Sequence, residues 1–127
     1  DELVFFLRIE YATLIGGIAR YGIGVDALKP IKVGQQDILP SFIVFIVGKV
    51  NELYDDNHPV GNVDFIILPF DVILEITSSQ EPKGGYGNQF SITLKADKGY
   101  TILHDTKKRS LDKETNSFYS LLNYKEI

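Results

Sequence analysis

The chain contains no cysteine and no methionine among its 127 residues. Without thiols there can be no disulfide framework, zinc ribbon, iron-sulfur site or thiol nucleophile, and either redox compartment stays open. The missing methionine, initiator included, is read as a processed or trimmed start. Long apolar runs are missing too. Arg8, Glu10 and Arg20 interrupt the N-terminal hydrophobic stretch well short of the ~20 residues that span a bilayer, so no membrane insertion is expected. There is no basic excess, the net charge being −4, whereas a general nucleic-acid binder normally has one. Neither a Gly-x-Ser-x-Gly turn nor a Gly-Lys-Ser/Thr phosphate loop occurs.

What remains has the composition of an ordinary globular chain, 44% hydrophobic and 24% charged. A single domain over residues 1–127 is expected, long enough to bury roughly two-thirds of its unfolded surface without a metal or cross-link. No internal repeat or low-complexity segment is present. Charge is uneven: residues 1–81 hold five Lys/Arg against twelve Asp/Glu and residues 82–127 eight against five, a net −7 and +3. Opposite halves of this kind can favour head-to-tail association, but chance distribution over solvated surfaces is the preferred account.

Hydrophobic spacing sets the expected elements. Val4, Leu7, Tyr11, Leu14, Ile18 and Tyr21 recur at intervals of three and four, which predicts an N-terminal helix over residues 1–21, capped by Asp1 and ended by Gly22 or Gly24. Phe5, Leu7, Ile9 and Tyr11 also alternate, the mark of a strand. Ile31 to Val33 reads as a short strand between Pro30 and Gly34. The run Phe42 to Val47 reads as a strand buried on both faces, the competing reading being a helix from Ser41 to Tyr54. Residues 54–62 form a polar loop. Val63 to Leu68 and Phe70 to Ser78 read as two strands parted by Pro69, which cannot donate to a ladder. A glycine-rich loop over residues 78–88 precedes a β-hairpin from Gln89 to Asp105, in which Phe90, Ile92, Leu94 and Ala96 share one face. Gly99 is expected to close its turn in the left-handed conformation, with Ala96 opposite Tyr100, Leu94 opposite Ile102 and Ile92 opposite His104. Phe118 to Tyr124 is a last strand or short helix. The fold expected is α+β, an N-terminal helix packed on a mainly antiparallel twisted sheet, with an all-β sandwich as the alternative if residues 1–21 are extended.

Several patterns have the outline of chemistry. Gly22-Ile23-Gly24-Val25-Asp26-Ala27 matches a dinucleotide-binding glycine fingerprint, but that motif needs a strand before it and a helix after it. Pro30 stops any helix within a turn, so a helix C-cap accounts for these glycines. Asp71 followed by Glu81-Pro82-Lys83 resembles the carboxylate-and-lysine set with which metal-dependent nucleases hold magnesium. There the glutamate and lysine sit on a buried strand; here they flank a proline beside a glycine loop. Asp55, Asp56, Asn57 and His58, with Asp64 beyond, supply oxygen and imidazole donors that calcium or a transition metal would accept. The hairpin register aims His104 at the apolar face, where it reads as a hydrogen-bonded histidine at the core rim. Lys107, Lys108 and Arg109 form a basic cluster able to meet phosphate or an acidic partner.

No catalytic constellation survives these tests. The function expected first is therefore that of a non-enzymatic structural subunit acting by protein association, with copies of itself as partner. Phe6, Phe45, Ile73 and Leu103, apolar residues on the solvent side of otherwise amphipathic elements, are its expected interface. The alternative is a small-ligand- or metal-binding hydrolytic domain using the 55–64 loop, with Asp55, Asp56, His58 and Asp64 as ligands. A weaker third expectation is an acidic-ligand contact through Lys107, Lys108 and Arg109. No cofactor is expected.

Overall fold

The computed structural model describes residues 7–38, 41–49, 63–81 and 88–123. The elements in order are β1 (Leu7–Thr13), β2 (Ile18–Gly24), a 3-10 turn (Val25–Leu28), β3 (Ile31–Val33), β4 (Gln36–Ile38), β5 (Phe42–Gly48), β6 (Val63–Pro69), α1 (Phe70–Thr77), β7 (Gln89–Ala96), β8 (Tyr100–Ile102) and α2 (Tyr119–Leu122). The strands make three small sheets, ordered β1-β5-β6, β2-β7-β8 and β3-β4. Pairing is antiparallel throughout except for β1 with β5, which run parallel. The chain is mostly sheet, with few helices.

The helix expected over residues 1–21 is not formed in its described part, which is strand, turn and strand; residues 1–6 lie outside the described residues. Two glycines decide this. Gly16 and Gly17 adopt φ of 59° and 78°, and the turn they make sets Ile15 opposite Ile18 in an isolated antiparallel bridge. Left-handed backbone of this kind cannot sit inside a helix, and glycine in a helix interior already costs about 1 kcal/mol relative to alanine. The period of two therefore wins: Ala19, Tyr21 and Ile23 of β2 are all buried while Arg20 and Gly22 face out. Beyond the bridge β1 and β2 part company, β1 joining β5 and β2 joining β7.

The second expected strand of the Pro69 pair is also corrected, because Phe70 to Thr77 is helical. Pro69 closes β6 opposite Phe42 and at the same time precedes α1, with the extended φ of −61° its ring imposes. Asp71 stands in the first turn, where its carboxylate meets the positive end of the helix and accepts from the Val72 N–H at 2.9 Å. Phe70, Ile73 and Thr77, spaced by three and four, are the buried face. The same stretch alternates at a period of two, so the spacing alone did not separate the two readings.

One apolar cluster draws on both three-stranded sheets. Ile43, Phe45 and Val47 of β5 and Ile66 and Leu68 of β6 meet Ala19, Tyr21 and Ile23 of β2, Ile92 and Leu94 of β7, and Tyr100 and Ile102 of β8. Phe70 and Ile73 of α1 and Leu111 join it. Tyr21 packs edge-on against Phe45 at 4.9 Å between ring centres, and its hydroxyl donates to the Ile46 carbonyl at 2.8 Å. Phe45 and Ile73, expected to face solvent, are both fully buried here. For Phe45 the reason is that the second sheet covers the odd-numbered face of β5; for Ile73 it is the helical geometry of α1.

The hairpin forms with Ala96 opposite Tyr100 and Leu94 opposite Ile102, as its alternation requires. It ends sooner than expected. The Leu103 N–H donates to Thr93 O at 2.8 Å, then His104 turns away with φ of 65°, so the imidazole is exposed and does not face Ile92. Gly99 does not take a positive φ; a side chain there would meet the Asp112 carboxylate. Its role is to admit that close approach.

Candidate functional site

Three assemblies bear on function, two polar and one apolar. The first centres on Asp64, which projects from β6 toward the shared core and is 8% exposed. Its Oδ2 accepts from the Tyr100 hydroxyl at 2.5 Å and from Lys49 Nζ at 3.0 Å, while Oδ1 accepts from Asn116 Nδ2 at 2.9 Å. Because Tyr100 belongs to β8, this node ties the two three-stranded sheets together. Burial pushes the Asp64 carboxyl up, but the hydrogen bonds from Asn116, Tyr100 and Lys49, with the lysine charge, hold it below the usual carboxylate range. Burial and then the Asp64 contact push the Tyr100 phenol the other way, upward. At neutral pH the pair is a firm carboxylate and a firm phenol, and neither is poised to exchange a proton near pH 7.

The second assembly follows β8. Arg109 donates through NH1 to Asp105 Oδ1 at 2.8 Å and through NH2 to Glu75 Oε2 at 2.6 Å, and Lys107 Nζ lies 2.7 Å from the other Glu75 oxygen. Asp105 also accepts the backbone N–H groups of Lys107 and Arg109. Asp105 feels burial first, which raises its pKa, yet those backbone donors and the guanidinium lower it below the ordinary value. Glu75 is lowered chiefly by the Lys107 hydrogen bond, with Arg109 adding to it. Of the expected basic cluster, Lys107 and Arg109 thus fasten α1 to the loop after β8, and only Lys108, exposed and at φ of 50°, has no ion pair among the described residues.

Asp55, Asp56, His58 and Phe6 lie outside the described residues, as does Lys83. Asp64, the remaining expected metal ligand, has both oxygens engaged by protein donors. Among the described residues no three His, Cys, Asp or Glu side chains gather closely enough to hold a metal ion. The glycine fingerprint at residues 22–27 does follow a strand, but only the four-residue 3-10 turn comes after it, too short to present an anion-binding helix end. A shallow polar depression lined by Gln80, Glu81, Gln89 and Ser91 holds no nucleophile and base in contact. There the Gln80 carboxamide bonds both backbone groups of Ser91, at 2.7 and 2.9 Å, in place of a neighbouring strand.

The third assembly is the outer face of the β1-β5-β6 sheet. Register places Leu7 beside Phe42 and Pro69, Ile9 beside Val44 and Ile67, and Tyr11 beside Ile46 and Phe65. Over β6 this face is covered by the C-terminal segment: Phe118 stacks on Phe65 at 5.7 Å and Ser120 Oγ donates to Ile67 O at 2.8 Å. Over β1 no described residue covers it, and Leu7, Ile9 and Tyr11 are 49%, 67% and 61% exposed. The two edges of the sheet differ in the same way. The Asn116 N–H donates to Phe65 O and the Phe65 N–H to Asn116 Oδ1, at 2.7 and 2.9 Å, which closes the β6 edge. The outer edge of β1 pairs with no described strand.

No family model matches the sequence, no curated protein resembles it, and no solved structure matches its fold. The geometry is then what speaks to function. Sequence reasoning missed Leu7, Ile9 and Tyr11 as surface residues because it preferred a helix there, with Leu7 and Tyr11 in its apolar seam. Their alternation was the signal that could have found them. It could not have found Tyr100 and Asn116 as partners of Asp64, 36 and 52 residues away along the chain. No helix among the described residues is long and apolar enough to cross a membrane.

Proposed function

We propose that this chain is a non-enzymatic structural subunit that works by associating with copies of itself, and that its architecture is a two-layer all-β sandwich with helical additions. The observation that carries the functional reading is the row Leu7, Ile9 and Tyr11 on an edge strand with no cover among the described residues. Of the expected interface residues that are described, Leu103, at 37% exposed, stays on the surface. Contiguous apolar surface rimmed by polar residues is what association sites use. Among the described residues, Asp64, Asp105, Lys107 and Arg109 hold elements together.

The test is the oligomeric state of the intact chain by sedimentation equilibrium. A reversible dimer or higher species is expected, weakened by Ile9→Lys with no change in the melting temperature of the dissociated chain. A single monomeric species across the accessible concentration range removes the proposal. A hydrolytic or metal-binding domain built on the 55–64 loop is the second reading, favoured by one fact: the Lys49–Asp64 ion pair at 3.0 Å joins the residue before segment 50–63 to the one after it. Calorimetric titration with calcium and with zinc checks it, and heat that disappears in Asp56→Ala would promote it over the first.

A further inference from the structure

Resting on the self-association reading, the geometry points to one arrangement in particular: two copies pair through β1, antiparallel and edge to edge, about a twofold axis at Ile9. Three observations carry it. The first is the direction of the backbone groups. The Leu14 N–H donates to Gly48 O at 2.8 Å, at the end of the parallel β1-β5 ladder. Backbone groups of a strand alternate sides, so Arg8, Glu10 and Ala12 spend theirs on β5 and Leu7, Ile9 and Tyr11 present theirs to the open edge.

The second observation is the order of side chains along β1. An antiparallel pair centred on Ile9 sets Ile9 against Ile9 of the second copy and Leu7 against Tyr11 of the second copy. Its facing residues exchange about six backbone hydrogen bonds. Aromatic against aliphatic and aliphatic against aliphatic are the favourable cross-strand pairs. The same register sets Arg8 against Glu10 of the second copy, twice over. Charges on an edge strand usually discourage such pairing, because a like charge or an apolar residue meets them. Here opposite signs flank the axis at equal distance, so the sequence Arg8-Ile9-Glu10 is complementary to itself only in this antiparallel register.

The third observation is that Arg8, its side chain 43% exposed, keeps donors to spare. Arg8 Nε donates to Glu10 Oε1 at 2.6 Å within the strand, and the terminal guanidinium nitrogens have no partner among the described residues. The half of β1 around Ile9 is also the half away from the Ile15–Ile18 bridge, where β1 and β2 have diverged into separate sheets. A face-to-face stack of two outer faces would bury the same apolar row but leave the edge groups of Leu7, Ile9 and Tyr11 unpaired. The pairing proposed satisfies them and turns two three-stranded sheets into one of six strands.

Reciprocal charge reversal tests the register. Arg8→Glu and Glu10→Arg each place like charges opposite one another and are expected to weaken self-association at least tenfold. Mixed in equal amounts, the two variants restore opposite charges at both positions and should form a heterodimer about as tight as the wild-type dimer. Circular dichroism confirms that each variant is folded. Because the chain has no cysteine, Ile9→Cys supplies a second readout: across the axis its sulfurs fall within disulfide range, so mild oxidation gives a covalent dimer. Ile15→Cys, also exposed, does not. A wild-type dimer indifferent to both reversals, with no rescue on mixing and no Ile9→Cys cross-link, overturns the β1 pairing while leaving self-association standing. A wild-type monomer overturns both.

Discussion

The two faces of the β1-β5-β6 sheet are made of the same kinds of residue and meet different ends. On the inner face Ile43, Phe45, Val47, Ile66 and Leu68 are sealed against a second sheet and α1. On the outer face Phe42 and Ile67 are also buried, but Leu7, Ile9 and Tyr11 stand in the open. Hydrophobicity does not distinguish the two sets. What differs is whether another layer of the chain passes over them: α2 and the residues before it cover β6, and nothing described covers β1. Core and candidate interface are therefore products of topology acting on one residue alphabet.

The largest test of that contrast is truncation on each face. Phe45→Ala removes a ring with full burial and should cost about 3–5 kcal/mol in urea unfolding. Ile9→Ala, on the exposed side, should stay within about 0.5 kcal/mol in the dissociated chain. Equal costs would mean that the outer face is covered in solution. Next in size is the polar end of the inner face. Asp64→Ala strands the Tyr100 hydroxyl and the Asn116 amide and should cost about 1–3 kcal/mol.

The pH dependence follows from the signs. Asp64 and Asp105 have folded pKa values below their unfolded ones, so the stability they contribute is present above about pH 4 and is lost as pH falls through the folded values. Tyr100 and Tyr21 have raised values, so their contribution is full below about pH 10 and fades above it. Unfolding midpoints should be flat between these limits. Asp64→Asn should show a shallower acid limb than the wild type, and an unchanged limb would remove Asp64 from the account.

The smallest effects concern the turns that create the two faces. Gly17 holds φ of 78° in the turn that sends β1 and β2 to different sheets, so Gly17→Ala should cost about 1 kcal/mol. Gly99 is crowded only by the exposed end of Asp112, which can swing away, so Gly99→Ala should cost less than about 0.5 kcal/mol. A larger loss at Gly99 than at Gly17 would reverse this ranking of backbone strain over side-chain crowding.

The hairpin β7-β8 and the strands β3, β5 and β6 were legible because local signals agreed: β-branched runs, alternation, and bounding proline and glycine. β1 and α1 were not. Leu7 to Tyr11 satisfies a period of two and a period near 3.6 at once, and so does Phe70 to Thr77, where the helix is settled by burying Phe70, Ile73 and Thr77 on one face. Of the candidate site, the apolar residues of β1 were visible in the sequence but their exposure was not, and Phe45 and Ile73 carried no local mark of the layers that bury them.

By itself the sequence determined that this is a sheet-rich chain without thiol chemistry, with a hairpin of definite register and opposite charges at Arg8 and Glu10 on either side of Ile9. Those are properties of neighbours along the chain, fixed by stereochemistry within a few residues. Only the tertiary structure decided which apolar face is core, that Asp64 meets Tyr100, and that Lys107 and Arg109 are occupied by Glu75 and Asp105. Burial and ion pairing depend on what lies across space, and segments dozens of residues apart meet only once the chain has folded.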